Sequence, residues 1–164
     1  MAIVVRPATL ADAPRCAEIY RPFVTENWVS FETDPPDTDE MARRIAVYGK
    51  THAWLVAQDA AETVIGYAYG CPHRSRAAYS TSADVAIYVD PAHGRLGIGR
   101  ALYTDLFHRL AAKGAHAAFA GIALPNPASI ALHEAMSFTL VGIYREVGWK
   151  MGAWRDVGWW QRIL

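Results

Sequence analysis

Cysteine is scarce. Only Cys16 and Cys71 occur in 164 residues, too few for a disulfide framework, which points to a reducing, cytoplasmic setting. Net charge is lacking as well: sixteen Lys and Arg balance sixteen Asp and Glu, so there is no electrostatic case for binding nucleic acid. No apolar run is long enough to span a bilayer, and Met1-Ala2-Ile3-Val4-Val5-Arg6-Pro7 has neither the basic start nor the long apolar segment of a signal peptide, so no membrane partner is expected. Repeats, low-complexity tracts and domain linkers are missing, which leaves one domain over residues 1–164. His52, His73, His93, His108 and His116 show no ligand spacing with cysteines or carboxylates, so no metal is expected. What the chain has is apolar mass, 52% hydrophobic residues, enough for a substantial core. Of its six tryptophans, Trp149, Trp154, Trp159 and Trp160 fall in the last 16 residues, which marks core or interface.

The most informative stretch runs from Val85 to Leu102. Val85, Ile87 and Val89 alternate with Ala86 and Tyr88 as in a strand, and Asp90-Pro91 stops it. Gly97 and Gly99 let the backbone approach a ligand, and Leu102, Leu106 and Leu110 then recur at helical spacing. A glycine turn opening a helix leaves unpaired N–H groups at the positive end of the helix dipole, which suits phosphate. Two common phosphate loops are excluded. From Gly97 the chain reads G-I-G-R-A-L and lacks the third glycine of a dinucleotide fingerprint. From Gly94 it reads G-R-L-G-I-G-R-A and lacks the Lys and hydroxyl of a P-loop.

Elsewhere the pattern gives a first strand at 3–6, then a helix capped by Thr9 or Asp12 and broken at Pro22. Asp37-x-x-Glu40 resembles a capping box for a second helix ending at Gly49. Residues 53–57 and 63–70 read as a hairpin, and His73 to Tyr79 as a polar, basic connection. A helix at 97–113, a buried strand at 117–123, a helix begun by Asn126-Pro127 and two strands, 138–149 and 154–164, complete the order β-α-α-β-β-β-α-β-α-β-β.

Arg95-Leu96-Gly97-Ile98-Gly99-Arg100-Ala101 resembles the R-x-x-G-x-G/A pyrophosphate loop of the GCN5-related N-acetyltransferases, with Gly94 where a leading glutamine is common. The element order is that family's too. Three further stretches resemble its phosphinothricin and methionine sulfoximine acetyltransferases. Tyr79 to Val89 is similar to Y-x-x-T-x-E-x-x-V-Y-V, Asn126 to Phe138 to N-x-x-S-x-x-L-H-E-x-x-G-F, and Val147 to Val157 to V-G-x-K-x-G-x-W-x-D-V. The resemblance implies an α/β (α+β) fold: a mixed, mostly antiparallel sheet, helices on both faces and a splayed strand pair that receives the acetyl-pantetheine arm. It also implies acetyl-CoA as co-substrate, held by Ile87, Tyr88, Val89, Arg95, Leu96, Gly97, Ile98, Gly99, Arg100 and Asn126.

The same resemblance assigns chemistry. Acetyl transfer needs a neutral amine, whereas an α-amine of pKa about 8 is mostly protonated at neutral pH. Asp84 stands where the relatives have a catalytic glutamate; one methylene shorter, it favours taking the proton through water. His133 stands where many acetyltransferases have a proton-donating tyrosine, and could donate to the CoA sulfur, hold the substrate or accept the amine proton. The N–H of Val89 or a neighbour would stabilise the oxyanion. Arg74, Arg76 and Tyr79 match substrate residues, for which arginine forks suit carboxylate and phosphinyl or sulfonyl oxygens, and Phe31 matches an aromatic lining the pocket. Lys150 and Trp154 border the site or a homodimer interface, and Ser137, in place of a helix-ending glycine, predicts local strain. The substrate implied is a small amino-acid analogue. Another small amine, a protein N-terminus, and a CoA-binding module without turnover stay open as alternatives.

Overall fold

The computed structural model describes residues 2–164. Seven strands form one sheet: β1 (Val4–Pro7), β2 (Ala53–Gln58), β3 (Val64–Pro72), β4 (Ser82–Val89), β5 (Ala117–Ala123), β6 (Thr139–Lys150) and β7 (Ala153–Ile163), in the spatial order β1-β2-β3-β4-β5-β7-β6. Every neighbouring pair is antiparallel except β4–β5. The helices are α1 (Ala13–Thr25), α2 (Thr38–Thr51), α3 (Ile98–Ala112) and α4 (Pro127–Ala135). Among the described residues no helix is long and apolar enough to cross a membrane.

Strand alternation divides the core. On one face Leu55, Ala68 and Val85 pack with Leu102, Leu106 and Leu110 of α3. On the other, Trp54, Val56 and Tyr67 pack with Cys16, Ile19 and Val24 of α1 and with Met41 and Ile45 of α2. The period-2 pattern of the strands therefore feeds two helical layers.

Two helix ends differ from the sequence expectation. Pro22 lies inside α1, which runs on to Thr25 with Glu26 N–H bonded to the Pro22 carbonyl. A proline this close to a C-terminus removes a single donor, and burial of Val24 holds the last turn in place. Likewise α2 passes Gly49 and ends at Thr51, His52 N–H closing on Tyr48. At its start the Asp37 carboxylate accepts from Glu40 N–H, as the capping pattern requires. Ser137 takes φ 68°, the left-handed geometry expected where a helix ends in place of glycine.

Candidate active site

The parallel pairing of β4 and β5 is brief. Ser82, Ala83 and Asp84 face Ala117, Ala118 and Phe119, and beyond that rung the strands part. On its other edge β4 stays paired to β3 as far as Val89. The Asp90 N–H turns to the Ile65 carbonyl on the β3 side. Strand alternation then turns the N–H groups of Ile87 and Val89 the other way, into the gap. A narrow slot results, lined by residues 85–88 of β4, residues 120–123 of β5, Asn126, Ser129, Tyr103 and His133.

The slot opens into a cleft of about 600 Å³. Ile87, Tyr88, Val89, Arg95, Gly97, Ile98, Gly99, Arg100 and Asn126 all line it, with Phe23 and Val29 above. Leu96 is the exception, 47% exposed on the outer side of the turn. The Tyr88 ring packs across the sheet against Tyr20 and Phe23, so this residue lines the cleft through its backbone. Gly97 is the N-cap of α3 at φ 78°, and no side chain caps that end. Ala101 N–H bonds to the Gly97 carbonyl, which leaves the first-turn N–H groups of Ile98, Gly99 and Arg100 aimed at the cleft. At Gly99 a Cβ would stand 2.8 Å from a Leu132 methyl, which would have to move aside. These donors, with Arg95 and Arg100, fit a pyrophosphate. Asn126 caps α4, accepting from Ser129 N–H at 3.2 Å, while also lining the cleft.

His133 is 3% exposed and both its ring nitrogens are engaged. Nδ1–H donates to the Ser129 carbonyl at 2.7 Å, so Nε2 accepts from the Tyr103 hydroxyl at 2.9 Å. Burial lowers its pKa, against a smaller rise from the Ser129 bond, and keeps the ring neutral. Donation to a departing thiolate would require one of these bonds to open.

At the fork stands Asp84. Burial raises its pKa, opposed by a hydrogen bond from His73 Nδ1 at 2.5 Å. The His73 ring stacks on Phe119 at 4.4 Å and meets the edges of Tyr79 and Trp159. Tyr79, Arg74 and Arg76 then line a shallow concavity of about 410 Å³. Phe31 lies apart from these three, its ring over Gly148 of β6, where a Cβ would meet it at 2.3 Å. Lys150 is buried and its ammonium donates to the Ser30 carbonyl at 2.5 Å, which ties the segment carrying Phe31 to β6. Burial lowers the Lys150 pKa, with Glu32 opposing.

Sequence reasoning missed His73, Tyr103, Phe119 and Trp159. His73 and Asp84 are joined only by hairpin register, Cys71 facing Asp84 and Pro72 facing Ala83. Trp159 Nε1 is buried without a hydrogen-bond partner among the described residues. Among the described residues no cluster of His, Cys, Asp or Glu could hold a metal ion.

Comparison with known proteins agrees with this geometry. Residues 14–138 match the Acetyltransferase (GNAT) family. The phosphinothricin N-acetyltransferase of Streptomyces coelicolor is 39% identical over 99% of this chain and 96% of its own. The L-methionine sulfoximine/L-methionine sulfone acetyltransferase of Salmonella typhimurium is 32% identical over 99% and 95%. Among solved structures, a phosphinothricin acetyltransferase from Sinorhizobium meliloti in complex with acetyl-CoA superposes with a TM-score of 0.95 at 38% identity, covering 100% of this chain and 89% of that one. The splayed strands, the glycine-opened helix and these full-length matches place the chain in the GNAT family of acetyltransferases.

Proposed function

We propose that this protein, as a single domain over residues 1–164, transfers the acetyl group of acetyl-CoA to the α-amino group of phosphinothricin, methionine sulfoximine or methionine sulfone. The observation that carries the reading is a junction. Tyr79 of the Arg74–Arg76–Tyr79 concavity meets the edge of His73, and His73 is bonded to Asp84 at the apex of the fork, one residue before the β4–β5 slot begins at Val85. An acidic amino-acid analogue held by the arginines therefore presents its amine where a thioester in the slot presents its carbonyl.

Each residue has a part. The α3 N-terminus with Arg95 and Arg100 holds the pyrophosphate, and Asn126 contacts the pantetheine arm. The N–H of Val89 or Ile87 stabilises the oxyanion that forms as the amine attacks. Asp84, bonded to His73, serves the deprotonation of the amine, and His133 walls the slot and holds the Tyr103 hydroxyl beside it. Phe31, set over Gly148, closes the apolar side of the substrate pocket. Neither cysteine acts: burial raises Cys16 and Cys71 to about 12 each, which keeps both thiols protonated. Both are free, in keeping with a reducing cytoplasm.

The protein works as a homodimer in this reading. β6 is an edge strand, and it exposes Leu140, Val141, Tyr144, Val147 and Trp149, continued by Trp154 on β7. An apolar edge of this length calls for a cover, and a second copy supplies one. Light scattering should give twice the chain mass; the monomer mass would overturn the dimer.

A thiol-release assay tests the activity. Purified protein and acetyl-CoA are incubated with the three analogues, a panel of amino acids and short peptides. Turnover confined to the analogues is expected. Turnover on peptides alone, or none despite bound CoA, would overturn the substrate assignment.

A further inference from the structure

We propose that His73, held by Asp84, is the group that accepts the proton from the substrate amine, and that Asp84 orients it rather than receiving that proton. The inference rests on the acetyl-transfer reading above and deepens it.

Geometry leads to it. His73 Nδ1–H donates to Asp84 Oδ1 at 2.5 Å, which fixes the tautomer with the lone pair on Nε2. That nitrogen has no partner among the described residues, and the side chain keeps 16% of its surface open. The ring cannot swing freely: Phe119 stacks beneath it at 4.4 Å, with Tyr79 and Trp159 edge-on at 5.8 and 6.1 Å. Asp84 pairs with Phe119 at the last rung before β4 and β5 separate, so the dyad stands at the apex of the fork, next to the head of the slot at Val85. Tyr79 also lines the arginine concavity, which puts the open nitrogen between the two binding regions.

Chemistry prefers the imidazole. An α-ammonium of pKa about 8 surrenders its proton more readily to an imidazole, intrinsically the stronger base, than to a carboxylate. An aspartate one methylene short of a glutamate leaves the gap that the imidazole fills. The charged and titratable groups around the ring are Asp84 on β4, Cys71 on β3, Arg74 beside it and Tyr79 below. Phe119 on β5 and Trp159 on β7 contribute no charge.

The step balances without another reagent. An N–H bond of the ammonium breaks, its electron pair stays on nitrogen, and the proton forms the Nε2–H bond of an imidazolium paired with Asp84. The amine lone pair forms the C–N bond to the thioester carbonyl carbon as the carbonyl pair moves to oxygen. When that pair returns, the C–S bond breaks with its electrons on sulfur, and the second amine proton passes to the sulfur. The products are the amide and the free CoA thiol, and His73 returns its proton to water.

The experiment is a kcat/KM–pH profile for wild type, His73→Phe, His73→Gln and Asp84→Asn, with acetyl-CoA affinity measured by calorimetry. The phenyl ring keeps the stack on Phe119, and the glutamine amide can still donate to Asp84, so a fault of folding in one variant is checked by the other. Both His73 variants should bind acetyl-CoA normally, lose about 100-fold or more in kcat/KM at pH 7, and recover as the pH passes the amine pKa. Asp84→Asn should lower kcat/KM at pH 7 by about as much as either His73 variant, and adding it to His73→Gln should cost little more, because the two residues act as one unit. Wild-type profiles in both His73 variants, or a loss that high pH does not restore, would overturn the inference while leaving acetyl transfer standing. A wild type that releases no thiol with any amine would overturn the underlying reading and this step with it.

Discussion

The donor half and the acceptor half of this site are built by opposite means. The phosphate end of the co-substrate cleft is made of backbone from one contiguous stretch: Gly97 in the left-handed region, three free N–H groups on α3 and Gly99. The proposed acceptor wall is made of side chains from four separate stretches: Phe31; His73, Arg74, Arg76, Tyr79 and Asp84; Phe119; and Trp159. Binding a phosphate asks only for geometry, which a single turn supplies. Choosing and deprotonating an amine asks for charge and tautomer, which several strands must bring together. The two halves should therefore fail separately.

The sharpest break is Gly99→Val. A Cβ there already meets Leu132 at 2.8 Å, and valine adds two methyl groups. Acetyl-CoA affinity by calorimetry should fall about 100-fold or more. Unchanged affinity would mean that the co-substrate lies elsewhere.

Asp84→Asn is the complement. It should lower kcat by about 100-fold while acetyl-CoA binds as before. It should also raise Tm at pH 7, because burial pushes the Asp84 carboxyl upward in the fold. With the folded pKa above the unfolded one, its contribution to stability is fully present below about pH 4 and is lost as pH rises through the folded value. At neutral pH the wild type therefore carries a charged, half-buried carboxylate whose cost asparagine removes. A melting curve that falls at pH 7 would contradict this.

Arg76→Ala tests the far end of the wall. Loss of one charge-assisted contact should raise KM for the acidic analogue about 10-fold with little change in kcat. An unmoved KM would reduce Arg76 to a surface charge.

The smallest effect belongs to neither half. Ser137→Gly relieves φ 68° at the end of α4 and should add about 1 kcal/mol, or roughly 3 °C in Tm, with kinetics unchanged. Altered kinetics would show that the helix end reaches the site.

The contrast also explains what could be read in advance. The order of elements, the glycine loop and the Asn126 cap were legible because each is a local matter of period, φ and capping. The Ser137 strain was legible for the same reason. Pro22 misled because burial of Val24 carried α1 past it, and Gly49 because the Lys113 ammonium, from beyond α3, donates to the Gly49 and Lys50 carbonyls at the end of α2. His73 was invisible because its partner lies eleven residues away across a hairpin. The engaged nitrogens of His133 depend on Tyr103, thirty residues upstream.

One element has a bearing on how long the molecule survives. The helix that offers its open N-terminus to the co-substrate also supplies Leu102, Leu106 and Leu110 to the main core. Occupancy of that end by a pyrophosphate acts on the same helix whose unfolding would dismantle the sheet. A co-substrate present at a hundred times its dissociation constant adds about 2.7 kcal/mol to the folded state. Resistance to proteolysis should therefore follow the acetyl-CoA supply, so that starvation for acetyl groups withdraws a substrate and shortens the life of its consumer together.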